Sequence, residues 1–147
     1  MQHIETMDEA DRLWHEAIKA YRVQYAAVLD AVSPTTRHAI ERCSKLHDAV
    51  ITEISFRCIP RKYGMSIALH VIPCEGRPLQ ILFRGISDFH VDMPVWNLLY
   101  DGFGWGYEEF ALTEDGSLRF SLLGDLKNEL TITCADIRIE RERATTA

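Results

Sequence analysis

The chain has 147 residues, 47% of them hydrophobic and 26% charged, with a formal net charge of −6. That is enough chain for one domain to bury a core without disulfide or metal staples, and the balance excludes intrinsic disorder. The acidic surplus makes sequence-independent affinity for nucleic acid or anionic membrane poor, and suits either solubility or a basic partner.

Thr6 followed by Glu9 reads as a capping box, with Asp8 and Glu9 in a first turn where the helix dipole favours negative charge. Trp14, Ile18, Tyr21, Tyr25, Val28 and Val32 then recur at helical spacing, flanked by Leu13, Ala17 and Leu29. The stripe predicts a helix running to about residue 30 or 32. Ser33-Pro34 restarts the chain with a good N-cap and a proline suited to the first helical position, predicting a second helix over 34–45.

At Leu46-His47-Asp48-Ala49 the period changes from 3.6 to 2. The helical part is therefore residues 6–46, and a β-meander covers 49–141. His47 is expected to cap the preceding helix, and Asp48 to start the first strand cleanly. Val50, Ile54, Phe56 and Cys58 share a face of the first strand, 49–58, and Met65, Ile67, Leu69 and Val71 share one on the second. Pro60–Gly64 and Pro73–Gly76 supply the turns. Leu79, Ile81 and Phe83 mark a third strand, and 86–92 a weaker fourth. Asp115-Gly116, between runs at 105–113 and 117–123, is a hairpin signal. In the last strand, 129–141, Leu130, Ile132 and Cys134 change parity before Ile137 and Ile139, predicting a bulge near Ala135-Asp136. Residues 142–147 are expected to fray. Short turns favour antiparallel pairing, and the Trp14–Val32 stripe is an available cover for the apolar face. The fold class is α+β: two N-terminal helices on a curved antiparallel sheet, half-barrel or two-layer arrangement of six to seven strands.

Residues 102–107, Gly-Phe-Gly-Trp-Gly-Tyr, place Phe103, Trp105 and Tyr107 on one face and three glycines on the other. Three glycines on one face predict tight bending or close approach of another backbone or a ligand, and a parity change predicts a bulge near Glu108-Glu109. The rings are either an aromatic platform for a partner or core. Just upstream, Trp96, Tyr100 and Asp101 offer an anchor and a polar group if that surface binds, and close one end of the core if it does not. Asp88, His90 and Asp92 lie on one strand face and form the best polar cluster in the chain. They read more readily as a solvated face than as a metal or acid–base site, since no further ligand is implied. No nucleophile elbow, Walker loop or dinucleotide glycine loop occurs. No catalytic residue, metal or cofactor is expected.

The first five residues carry neither a basic stretch nor an apolar run of signal type, and the four cysteines show no C-x-x-C pair. A cytoplasmic protein with reduced, buried cysteines is expected.

The Leu46–Ala49 junction with Ile51 and Ile54, the stretch Leu82–Asp88, the stretch Trp96–Asp101 and the closing Leu130–Glu140 together resemble a group of uncharacterised bacterial helix-plus-meander domains. Some of these look like immunity proteins of toxin systems. The resemblance covers about residues 46–140. It implies a bacterial source and a binding role, and carries no catalytic residue across. The leading expectation is thus a small binding protein, in its narrower form an immunity protein that neutralises a basic toxin by contact. Its candidate residues are Trp96, Tyr100, Asp101 and Trp105, with Asp88, Asp92, Glu108 and Glu109 supplying negative potential. A second reading is a small-molecule or metal-binding domain, or a weak enzyme, using Asp88, His90, Asp92 and Tyr100 at the mouth of the sheet. A third is a homo-oligomeric module joined through its aromatics.

Overall fold

The structure, a computed structural model, describes residues 2–59, 64–93, 103–124 and 127–141. Helix α1 spans Gln2–Ala31 and α2 Pro34–Cys43. Nine strands follow among the described residues: β1 (Val50–Ile59), β2 (Gly64–Ile72), β3 (Leu79–Arg84), β4 (Asp88–Asp92), β5 (Phe103–Gly104), β6 (Tyr107–Leu112), β7 (Leu118–Leu123), β8 (Glu129–Cys134) and β9 (Asp136–Arg141). The α+β class holds. The strand count does not, and neither does the half-barrel: the strands form two antiparallel sheets, ordered β5-β1-β2-β3-β9 and β4-β8-β7-β6, that do not close into a barrel.

The chain makes two sheets because three segments change sheet at a bend. At the first, β3 passes through Gly85 into β4. Gly85 has φ +65°, and a Cβ on it would stand 2.8 Å from the Cβ of Ala135, so glycine is required there. At the second, β8 passes through Ala135 into β9, and the Ala135 amide donates to Arg84 O at 2.9 Å. The parity change near Ala135-Asp136 is thus a crossing between sheets rather than a bulge within one strand. At the third, β5 passes through Trp105-Gly106 into β6. The expected bulge at Glu108-Glu109 is absent, because β6 and β7 pair in unbroken register from Tyr107↔Leu123 to Leu112↔Leu118. The parity change occurs instead at the Trp105-Gly106 corner. Corner strands of this kind are how packed sheets share one core.

That core joins both sheets and the helices. Phe120 sits at its centre, with the rings of Phe83, Phe110 and Trp105 at 5.2, 5.3 and 5.6 Å. The helices cover the outer edges of β6 and β9. Gln24 Nε2 donates to Phe110 O at 2.9 Å, and the Ile137 amide donates to Thr36 Oγ1 at 3.3 Å, so two edge-strand backbone groups gain partners.

Local signals set the helix ends, with one exception. Ser33 accepts from the Thr36 amide at 3.2 Å, and Pro34 opens α2, as its sequence predicts. Helix α1 begins at Gln2, so positions 6 and 9 lie inside it rather than at its start, where a capping box would stand. A helix of 30 residues is about 45 Å long. That is longer than the face it covers: Tyr25, Val28 and Leu29 meet the core, as does Val32 just past its end, whereas Leu13 and Trp14 stay exposed. The hairpin at Asp115-Gly116 forms as predicted, with Gly116 at φ +85° and the Thr113 amide donating to Ser117 O at 2.9 Å. All four cysteines are free thiols. Cys43 and Cys134 are buried, but Cys58 and Cys74 are exposed, contrary to expectation. No described helix is long and apolar enough to cross a membrane. The expected fraying of 142–147 lies outside the described residues.

Candidate functional site

The exposed half of α1 stands beside the second sheet and walls a groove of about 820 Å³. Trp14, Ile18 and Tyr21 line the helix side; Tyr107 and Leu123 line the strand side, beside Glu109 and Glu129. Trp14 is 64% exposed, Tyr107 71% and Leu123 47%, so three large apolar groups meet solvent along one groove. Scattered apolar exposure is ordinary; contiguous exposure marks an interaction site.

Strand register decides what surrounds the groove. Across the outer face of this sheet, one row reads Tyr107–Leu123–Glu129–Asp92, the next Glu109–Ser121–Thr131–His90 and the third Ala111–Arg119–Thr133–Asp88. The predicted cluster Asp88, His90 and Asp92 therefore lies on the same face as the groove, and all three side chains are exposed. Asp92 sits directly opposite Glu129, a like-charged cross-strand pair that repels unless a cation intervenes. Among the described residues, Arg22 from α1 and Arg119 from β7 are the basic groups here. No group of three or more metal-ligating side chains converges among the described residues.

The other predicted positions separate. Trp105 is 1% exposed and belongs to the core against Phe120, so its ring is not an exposed anchor. Phe103 is buried as well, whereas Tyr107 turns outward past the corner. Trp96, Tyr100 and Asp101 lie outside the described residues. Trp14 and Leu123 were not singled out from sequence as site residues. Trp14's membership of the helical stripe was visible; its exposure depends on where the sheet ends beneath α1.

Glu108 occupies the inner side of the groove. Its neighbours in register face the core, so burial pushes its carboxyl pKa up, against the opposing pull of its own backbone amide, the Trp105 indole and the His47 charge. The indole N–H of Trp105 lies close enough to favour the carboxylate, yet it does not reach hydrogen-bond geometry. Burial also raises the Tyr21 and Tyr25 phenols, helped by the nearby Glu108 carboxylate. Both phenols stay neutral donors at physiological pH. The buried Cys134 thiol is pushed up to about 12 and Cys43 goes higher still, so neither is a nucleophile.

The outer face of the first sheet carries a second polar cluster. Ser55 Oγ stands 3.3 Å from His70 Nε2, and Glu53 Oε2 stands 3.7 Å from that same nitrogen. A nucleophilic triad needs the hydroxyl and the acid on opposite ring nitrogens. Ser55 and Glu53 share one ring nitrogen, so Glu53 is not placed as the orienting acid of a triad. No protein-family model, curated protein or solved structure matches the chain.

Proposed function

We propose that this protein is a small binding module that engages a protein partner through the α1 groove and the adjoining outer sheet face. The observation that carries the reading is the contiguous exposure of Trp14, Tyr107 and Leu123 beside Glu109, Glu129 and Asp92. A complementary partner presents apolar side chains flanked by Lys or Arg. The apolar groups supply most of the affinity, and the carboxylates raise the association rate and reject acidic competitors. In its narrower form the partner is a basic toxin neutralised by occlusion, which agrees with the resemblance drawn from the sequence.

The test is site-specific photo-crosslinking in a lysate of the source organism. A photo-reactive residue replaces Leu123, and another replaces Phe56, which is 52% exposed on β1 away from the groove. The expected result is one basic protein captured at position 123, absent at position 56 and lost when Trp14→Glu is added. Equal capture at both positions, or capture indifferent to Trp14→Glu, overturns the reading.

A further inference from the structure

The chain is acidic overall, with 16 Lys and Arg against 22 Asp and Glu. Against that balance, Arg42, Lys45, Arg77 and Arg141 line a single concavity of about 950 Å³. They come from three places: the last turn of α2 and the residues after it, the turn between β2 and β3, and the end of β9. Packing brings them together. Pairing of Leu79 with Arg141 sets the end of β9 beside that turn, and the Thr36–Ile137 hydrogen bond holds α2 over β9.

None of the four has a carboxylate oxygen within 4.0 Å among the described residues. Among the described residues one carboxylate lines the concavity, Glu41, and it is held by Arg37 at 3.1 Å. His38 and Ser44 add polar groups at the rim, and Leu79 and Ile139 form an apolar part of the lining. A cation at a helix C-terminus is explained by the dipole, which accounts for Arg42 and Lys45. It does not account for Arg77 in the β2–β3 turn or Arg141 at the end of β9, which gather positive charge where self-repulsion opposes it.

We propose that this concavity binds a small, multiply charged phosphate-bearing ligand. Three of the four cations are arginines, whose planar forks match phosphate oxygens two at a time. A concave site with a partly apolar lining suits a phosphorylated small molecule. An extended polyanion such as nucleic acid would meet repulsion from the acidic surface beyond the concavity. The site is built from residues separate from the α1 groove and stands whether or not the groove binds a protein.

The test is titration of the intact chain with inorganic pyrophosphate, followed by amide NMR and calorimetry at about 150 mM salt, where distant charges are screened. The expected result is saturable shifts confined to the neighbourhoods of Arg42, Lys45, Arg77 and Arg141. The double variant Arg77→Ala/Arg141→Ala should weaken binding about tenfold or more, since each removes charged hydrogen bonds. Both side chains belong to exposed residues, so the variant keeps its thermal midpoint, which the same samples report. Shifts scattered equally over Arg12, Arg22 and Arg119, or no saturation, overturn the proposal. Tighter binding of a single-stranded oligonucleotide than of pyrophosphate at these residues also overturns it, in favour of a polymeric ligand.

Discussion

His47 Nδ1 lies 2.8 Å from the carbonyl oxygen of Gly106, joining the end of the helical region to the corner where the chain changes sheet. A carbonyl only accepts, so Nδ1 carries the proton. Two backbone bonds complete the latch: the Asp48 amide donates to Trp105 O at 2.9 Å, and the Trp105 amide donates to Ala49 O at 2.8 Å. The His47 ring also stacks obliquely on Tyr107, with centroids 5.4 Å apart. His47 was expected to cap α2; those carbonyls are instead used by the Ser44, Lys45 and Leu46 amides and the Ser44 hydroxyl. His47→Ala should destabilise the fold by about 0.5–1.5 kcal/mol, the net worth of one such bond, seen as a lower urea midpoint at unchanged slope. A midpoint equal to wild type would mean that the two backbone bonds hold the corner unaided.

Gly106, on the other side of that bond, has its own requirement. A Cβ there would run into Leu123 O, a backbone atom of the paired strand that cannot rotate away. The close approach expected of this glycine-rich stretch is therefore present, made by β7 rather than by a ligand. Gly106→Ala should cost about 1–3 kcal/mol through overpacking. Gly76→Ala, where a Cβ meets only open space but φ is +108°, measures backbone strain without a clash, the converse of Gly106. A Gly106→Ala midpoint equal to wild type, by chemical denaturation, would remove the steric explanation.

Trp14 and Trp105 should separate cleanly under mutation. Trp105→Ala empties the space beside Phe120 and should cost about 3–5 kcal/mol of stability. Trp14→Ala removes an exposed ring and should change stability by no more than about 0.5 kcal/mol, while weakening partner binding by about 2 kcal/mol. Thermal melts give the first pair of values, and calorimetry with the crosslinked partner gives the last. A large stability loss in Trp14→Ala would make that ring structural and remove it from the groove.

The features legible in the sequence are local ones. Ser33-Pro34, Asp115-Gly116 and the change of period at Leu46–Ala49 each depend on a few neighbouring residues, and each appears where the pattern puts it. The sheet switches at Gly85, Trp105-Gly106 and Ala135 depend on contacts between distant segments. A parity change marks two of them, but parity alone does not distinguish a bulge from a corner. The groove was half legible: Asp88, His90 and Asp92 were found, but their alignment with Glu129 and Tyr107 needs the register of four strands. The basic concavity was hidden by averaging, because a net charge of −6 says nothing about where the cations gather.

Glu108 should make stability depend on pH in a direction opposite to that of a salt-bridged carboxylate. Burial raises its pKa in the folded state, so the native chain holds this proton more tightly than the unfolded chain does. Between the unfolded value, about 4.3 for glutamate, and the raised native value, the native state binds more protons. The slope of unfolding free energy with pH is then negative for this group. Its contribution is fully present below the unfolded value and is lost as pH rises through the native one. Glu108→Gln removes that loss, so the variant should match wild type near pH 4 and exceed it at neutral pH. Because the His47 charge opposes the shift, the comparison is repeated in a His47→Gln background, where the pH-dependent gap should widen. Urea midpoints across that range give the answer; a wild-type-to-variant difference that stays constant with pH would show that Glu108 titrates as it does in the unfolded chain.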